Sequence, residues 1–290
     1  MFNLIGIVVV FGAVIGGYLM EHGNLLLLNQ PAEFIIIGGA AIGTMILSSP
    51  MKTIKLLIKQ LTGITKSGFN RQDYMDLLMM LYELMNLTRR EGLLALESHV
   101  EKPENSEIFK RYPSFMKNHH AVDFLCDTLR LVLTDPEIQA HDIEALMDLD
   151  METHHHEEAK PSQLLQTVGD ALPGLGIVAA VLGVVLTMQA ISGPVEQIGE
   201  KVGAALVGTF LGILLSYGLA QPLAANIGGK VEAAGQYYIA LKQVLLAFRR
   251  GSSPAVAVEF ARRSISNDVR PSFTELSEAV RSIKSGGKGK

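Results

Sequence analysis

Tryptophan is absent from the 290 residues and Cys126 is the single thiol, which excludes an intrachain disulfide and suits a reducing compartment. Charge is sparse too, at 19% of residues against 48% hydrophobic. The mean hydropathy of +0.28 is high for a soluble domain and low for an all-membrane transporter, so a mixed membrane and soluble architecture is expected. A formal net charge of −4 offers no electrostatic footprint for nucleic acid. No run alternates with period two, so strands are not required and the expected fold is all-α. The chain lacks a Ser/His/Asp signature, a phosphate loop and any Cys/His ligand spacing. It therefore calls for no enzyme chemistry, cofactor or metal.

Four apolar stretches are long enough to be read as membrane spans. They run from about Phe2 to Met20, Phe34 to Ser48, Leu172 to Met188 and Val202 to Leu223; the second is short, and either extends through Pro31 or tilts little. No Lys or Arg precedes the first and no A-x-A pattern closes it, so it reads as a retained span rather than a signal peptide. The third carries Pro173, Gly174, Gly176 and Gly183, residues that weaken a lone helix. Glycine lets helix backbones approach, and proline frees a carbonyl that a neighbour or water must satisfy. This span reads as packed against other helices beside a hydrated path. The fourth repeats the theme with Gly203, Gly208, Gly212 and Gly218.

Of 25 Lys and Arg residues, 13 lie in 50–168 and 11 in 224–290, with only Lys201 elsewhere. The loop at 21–33 holds Glu21 and Glu33 and no basic residue. Four spans put both basic segments on one side, and the positive-inside bias makes that side, with both termini, cytoplasmic. The expected organisation is thus helices 1 and 2 in 1–49, a helical cytoplasmic domain in 50–168, helices 3 and 4 in 169–226, and a helical cytoplasmic tail in 227–290. Helical faces appear at Tyr74, Leu77, Leu78, Leu81, Leu84 and Met85, at Val122, Leu125, Leu129, Val132 and Leu133, and at Tyr237, Tyr238, Leu241, Val244, Leu245 and Phe248. Breaks are expected at Pro103, Pro113, Pro136 and Pro161, and a disordered Gly/Lys-rich end from Ser285.

The run His154, His155, His156, Glu157, Glu158 is not a metal site, because consecutive helical residues cannot all face one ion. It reads as a solvated polar connector, as does His119-His120. The stretch from Arg89 and Arg90 to Glu97 is either a solvated helix surface or a charged docking surface.

The four apolar cores contain no Asp, Glu, Lys, Arg or His; Glu196, Glu200 and Lys201 are assigned to the loop between spans three and four. A proton path normally needs an ionisable relay near mid-membrane. Here the polar groups are hydroxyls, chiefly Thr44, Thr187, Thr209, Ser216 and Tyr217, with kinks at Pro173 and Pro222. If the chain conducts protons, the titrating carboxylate comes from another subunit. Asp170, at the cytoplasmic mouth of span three, either exchanges protons or complements a helix N-terminal dipole.

The segments VGDALPGLGIVAAVLGVV (168–185), VGTFLGILLSYG (207–218), HDIEALMDLDMETH (141–154) and VEFARRSISNDVRPSF (258–273) resemble the MotA family of bacterial flagellar stators. That family sits within the MotA/TolQ/ExbB ion-channel superfamily. The resemblance covers nearly the whole chain. It implies a homopentamer in the bacterial inner membrane around two copies of a MotB-like subunit that carries the proton-binding aspartate and grips peptidoglycan. It implies that Pro173 and Pro222 flank the ion path, that Thr209 is its polar position, and that Ala180 stands where sodium-driven relatives carry threonine, favouring protons. It implies that Arg89, or its neighbour Arg90, and Glu97 contact the rotor switch protein FliG.

A TolQ/ExbB-type energiser of an envelope protein is the alternative within the superfamily, but three spans are usual there. A secondary transporter should show internal repeats with a polar midplane site, and neither is present. A membrane scaffold is the remaining alternative from outside the superfamily.

Overall fold

The computed structural model describes residues 2–65, 68–189, 191–192 and 194–286. Among them there is no strand, and the chain divides into two compact units: Met1–Lys66 with Glu158–Lys230, and Ser67–Glu157 with Val231–Lys290. Among the described residues, four helices are long and apolar enough to cross a membrane. Two helices contribute to both units, α9 (Ala140–Met188) and α11 (Gln221–Arg249).

The first unit holds α1 (Phe2–Met20), α2 (Leu25–Leu28), α3 (Pro31–Ser48), α4 (Met51–Thr62), the second part of α9, α10 (Val195–Leu215) and the start of α11. Its core is a layer of Ile37, Ala41, Leu172, Ala179, Val207 and Leu211, joining α3, α9 and α10. The amphipathic α4 turns Ile54 and Leu57 onto Leu164 of α9 and Ile227 of α11. Apolar side chains also face outward, Val8, Leu47, Val185 and Leu206 among them, as a helix set in lipid or against further subunits requires.

The second unit is a helical domain around α5 (Arg71–Glu91). A capping box starts this helix: Asn70 accepts from the Asp73 backbone, and Asp73 accepts from the Asn70 N–H. Around it stand α6 (Glu97–Glu101), α7 (Pro113–Met116), α8 (His119–Thr134), the start of α9, the end of α11, α12 (Pro254–Ser264) and α13 (Phe273–Gly286). The faces expected at Tyr74–Met85, Val122–Leu133 and Tyr237–Phe248 all pack into this core. Phe69 stacks on Tyr237 at 4.0 Å between ring centroids. Burial pushes the Cys126 thiol up to about 12, so it serves as a small core residue.

Three local expectations are corrected. Pro161 does not break its helix but lies buried inside α9, where the hydroxyl of Ser162 donates to the Ala224 carbonyl at 2.8 Å and pins the segment to α11. Glu196, Glu200 and Lys201 lie in the first turns of α10, which Pro194 initiates, and not in a loop. The histidine run is part of α9, and His154 is no solvated connector: its ring stacks on His120 of α8 at 3.5 Å, with Tyr238 edge-on to both.

Candidate functional site: a small-residue seam and its polar end

Within the first unit, α9 and α10 meet along a seam of glycine and alanine. A Cβ placed on Gly176 would come within 2.7 Å of the Gly208 carbonyl oxygen, 3.1 Å of the Gly212 Cα and 3.3 Å of the Thr209 Cα. One on Gly212 would meet the Leu172 carbonyl at 2.6 Å. The neighbours are backbone atoms that cannot swing aside, so glycine at these positions sets the helix separation. Further along, Gly183 lies against Ala205. The seam brings Thr209 beside Gly176, and Ala180 beside Gly208, with both Thr209 and Ala180 half-buried.

One end of the seam is polar. Pro173 has no N–H, so the carbonyl of Gly169 four residues earlier loses its intrahelical donor. Ser216, fully buried, fills the gap: its hydroxyl donates to that carbonyl at 2.6 Å. Ser216 opens a π-helical turn, Ser216–Ala220, that ends just before Pro222. Pro222 in turn denies a donor to Gly218 and crowds its carbonyl, which accounts for the widened turn. Gln221 completes the cluster, donating to Asp170 Oδ1 at 3.0 Å and to Ser216 Oγ at 3.3 Å, while Gln166 donates to the same Asp170 oxygen at 2.9 Å. Asp170 and Pro222 are exposed on the chain and Pro173 is half-buried. Asp170 lies deep within α9, thirty residues after Ala140, so the helix-dipole explanation for it is overturned.

The expectation that no carboxylate lies within the first two spans is also overturned. The second span starts at Pro31, a residue suited to the first helical position, so Glu33 falls inside α3 rather than in the preceding loop. Glu33 is 7% exposed, and its Oε2 has no hydrogen-bond partner among the described residues. It lies against Gly208, beside Ala179 and Ala180.

The expected docking residues sit in the second unit. Arg89 and Arg90 form the last turn of α5, after which Gly92 takes φ 87°, a left-handed conformation that favours glycine. The chain then reaches Glu97 at the start of α6. All three side chains are exposed, and among the described residues none forms a salt bridge. The scaffold below them is firm. Glu83 of α5, 9% exposed, accepts from Tyr112 Oη at 2.7 Å and pairs with Arg111. Burial, then the bond to Glu83, pushes the Tyr112 phenol up.

Residues 4–92 match the family model for the motility protein A N-terminal region, and residues 116–238 match the MotA/TolQ/ExbB proton channel family. The chain is 43% identical to Motility protein A of Escherichia coli strain K12, over 98% of this chain and 96% of that protein. The chain belongs to the motility protein A family. Two solved structures share its fold. MotAB from C. jejuni aligns with a TM-score of 0.74 at 23% identity, covering 93% of this chain and 98% of that one. The flagellar MotAB stator complex from Bacillus subtilis aligns with a TM-score of 0.70 at 25% identity, covering 88% and 92%. The chain is a membrane protein and a stator subunit of the bacterial flagellar motor.

For a motility protein A family member, the structure adds two groups that sequence reasoning missed. Gln221 is uncharged and next to a proline, so only its contact with Asp170, fifty-one positions away, marks it. Glu33 carries a local signal, an acid two residues after Pro31 in the pattern of a helix start.

Proposed function

We propose that this chain assembles as a homopentamer around a MotB-like, peptidoglycan-anchored partner in the bacterial inner membrane, with N- and C-termini cytoplasmic, and that the complex uses proton flow to turn the rotor. The polar cluster at the end of the α9–α10 seam carries this reading. Asp170 is exposed yet oriented by two amide donors, Gln166 and Gln221, at 2.9 and 3.0 Å. That arrangement suits a carboxylate that exchanges protons with the cytoplasm. The prolines Pro173 and Pro222 bracket the cluster, and Ala180 and Thr209 continue from it along α9 and α10.

In this reading protons from the partner's aspartate leave past Thr209 and Ala180 and reach water at Asp170. One charge moving through 100 mV yields about 2.3 kcal/mol, so useful torque requires each passage to be tied to a conformational step. The π-helical turn at Ser216–Ala220 supplies a local irregularity of the kind that accompanies such steps. Arg89, Arg90 and Glu97 then present charge to the rotor protein FliG.

Proton uptake into energised membrane vesicles tests the channel. Uptake is expected when this chain and its partner are both present, and is expected to fall when Asp170→Ala replaces the wild-type chain. Equal uptake with the partner's aspartate replaced by asparagine overturns the proposal.

A further inference from the structure

Glu33 is a carboxyl group placed where the membrane offers it little relief. It is 7% exposed, Oε2 has no hydrogen-bond partner among the described residues, and a Cβ on Gly208 would come within 2.6 Å of that oxygen. The same hypothetical atom would lie 3.1 Å from the Ala179 Cβ and 3.2 Å from the Ala180 nitrogen, so the carboxyl rests at the α9–α10 seam. Ala180 is eight residues from the end of α9 at Met188, roughly 12 Å along the helix at 1.5 Å per residue. Glu33 itself stands in the first turn of α3, two residues after Pro31, and its carboxyl reaches the level of Ala180 on α9.

Among the described residues Glu33 forms no salt bridge. The short α2 and the 172–188 segment of α9 have no charged residue, and α3 has no other. On α10 the nearest, Lys201, lies seven residues before Gly208, roughly 10 Å along the helix. A permanent, unpaired carboxylate is heavily disfavoured at such a position, whereas a carboxylic acid is tolerated. Intramembrane ionisable groups with no structural partner belong to ion pathways by default.

We propose that Glu33 is a proton-binding site of this chain, an intramembrane carboxyl at the crossing of α3, α9 and α10 that takes up and releases protons moving along the wall formed by Ala180 and Thr209. Uptake forms one O–H bond on the carboxylate; release breaks it and returns the proton to the path. The stator complex then holds titratable groups in both subunits. The missing hydrogen-bond partner of Oε2 follows, since a site that must exchange its proton gains nothing from a fixed donor. The small residues at Ala179, Ala180 and Gly208 make the room. This inference rests on the proton-driven reading above for its role, but not for the site itself.

The test uses the full chain with its partner in native membranes, treated with dicyclohexylcarbodiimide. The acid's O–H adds across a C=N bond of the reagent and the adduct rearranges to a stable acylurea on the carboxyl. Mass spectrometry is expected to find the adduct on Glu33 in the wild-type chain and to lose it in Glu33→Gln. Absence of the adduct from Glu33, in membranes where other carboxyls are labelled, overturns the proposal. Rotation provides the second readout. Glu33→Gln is expected to lower motor speed at low load several-fold, and Glu33→Asp to retain most of it. Wild-type speed in Glu33→Gln overturns the proposal. If the wild-type chain drives no rotation at all, the stator reading fails, while the labelling still decides whether Glu33 binds a proton.

Discussion

The Ser216 hydroxyl donates to the Gly169 carbonyl, the group that Pro173 leaves without a donor, at 2.6 Å in a site closed to solvent. Ser216→Ala should leave that carbonyl unsatisfied and cost about 1–3 kcal/mol. Pro173→Ala restores the intrahelical donor, so the double variant should lose less than the two singles combined. Thermal unfolding of the detergent-solubilised chain measures this, and strict additivity would mean that the serine bond does not serve the proline gap.

Arg89, Arg90 and Glu97 are exposed and unbridged among the described residues, so reversing any one should change stability by less than about 0.5 kcal/mol. Motility should nevertheless fall in Glu97→Lys and in at least one of Arg89→Glu and Arg90→Glu, with membrane levels unchanged. Swimming speed and fluorescent counting of motor-bound stators are the readouts. Normal swimming in all three removes the rotor-contact assignment and leaves the channel assignment standing.

His120 and His154 stack at 3.5 Å and share Tyr238. Aromatic pairs of this kind contribute about 0.5–1.5 kcal/mol beyond the area they bury. Alanine at either position should lower stability by at least that much, with a coupling of about 1 kcal/mol in the double-mutant cycle. A coupling near zero would reduce the stack to coincidence of packing.

Glu259 accepts from Arg262 at 2.7 and 2.8 Å and from Arg263 at 2.9 Å. The Arg262 bonds chiefly hold its carboxyl down at about 2, against an ordinary 4.5. Because the folded value is the lower one, its contribution is complete above about pH 4.5 and disappears as the pH falls from 4.5 towards 2. Glu259→Gln should cost about 2 kcal/mol near neutral pH and flatten the stability profile across that acid window. Hydrogen exchange of α12 amides as a function of pH measures both, and an unchanged acid slope would contradict the assignment.

What the sequence made legible follows from physics that acts locally. The apolar runs stand out because charge is excluded from lipid, and the buried faces of α5, α8 and α11 because 3.6-residue periodicity survives in any packing. The resemblance supplied Ala180 and Thr209 as expected path residues, and the fold places both along the α9–α10 seam. What escaped was set by long-range contact. Pro161 lies inside a continuous α9 whose next residue, Ser162, is bonded to the Ala224 carbonyl of α11, a contact that no local propensity reports. His120 and His154 are thirty-four positions apart, so their stack is invisible until α8 meets α9. Glu33 escaped because the apolar run begins at Phe34, whereas Pro31 starts the helix and carries the acid into the first turn of α3.

The most direct measurement is motor rotation in cells that lack their own stators and express this chain with its partner. Bead rotation is recorded as sodium is exchanged for potassium at constant membrane potential. Proton drive through the Ala180 and Thr209 wall predicts stepwise recovery of rotation at a speed indifferent to sodium. Rotation that tracks sodium concentration would contradict it, as would no rotation despite normal assembly.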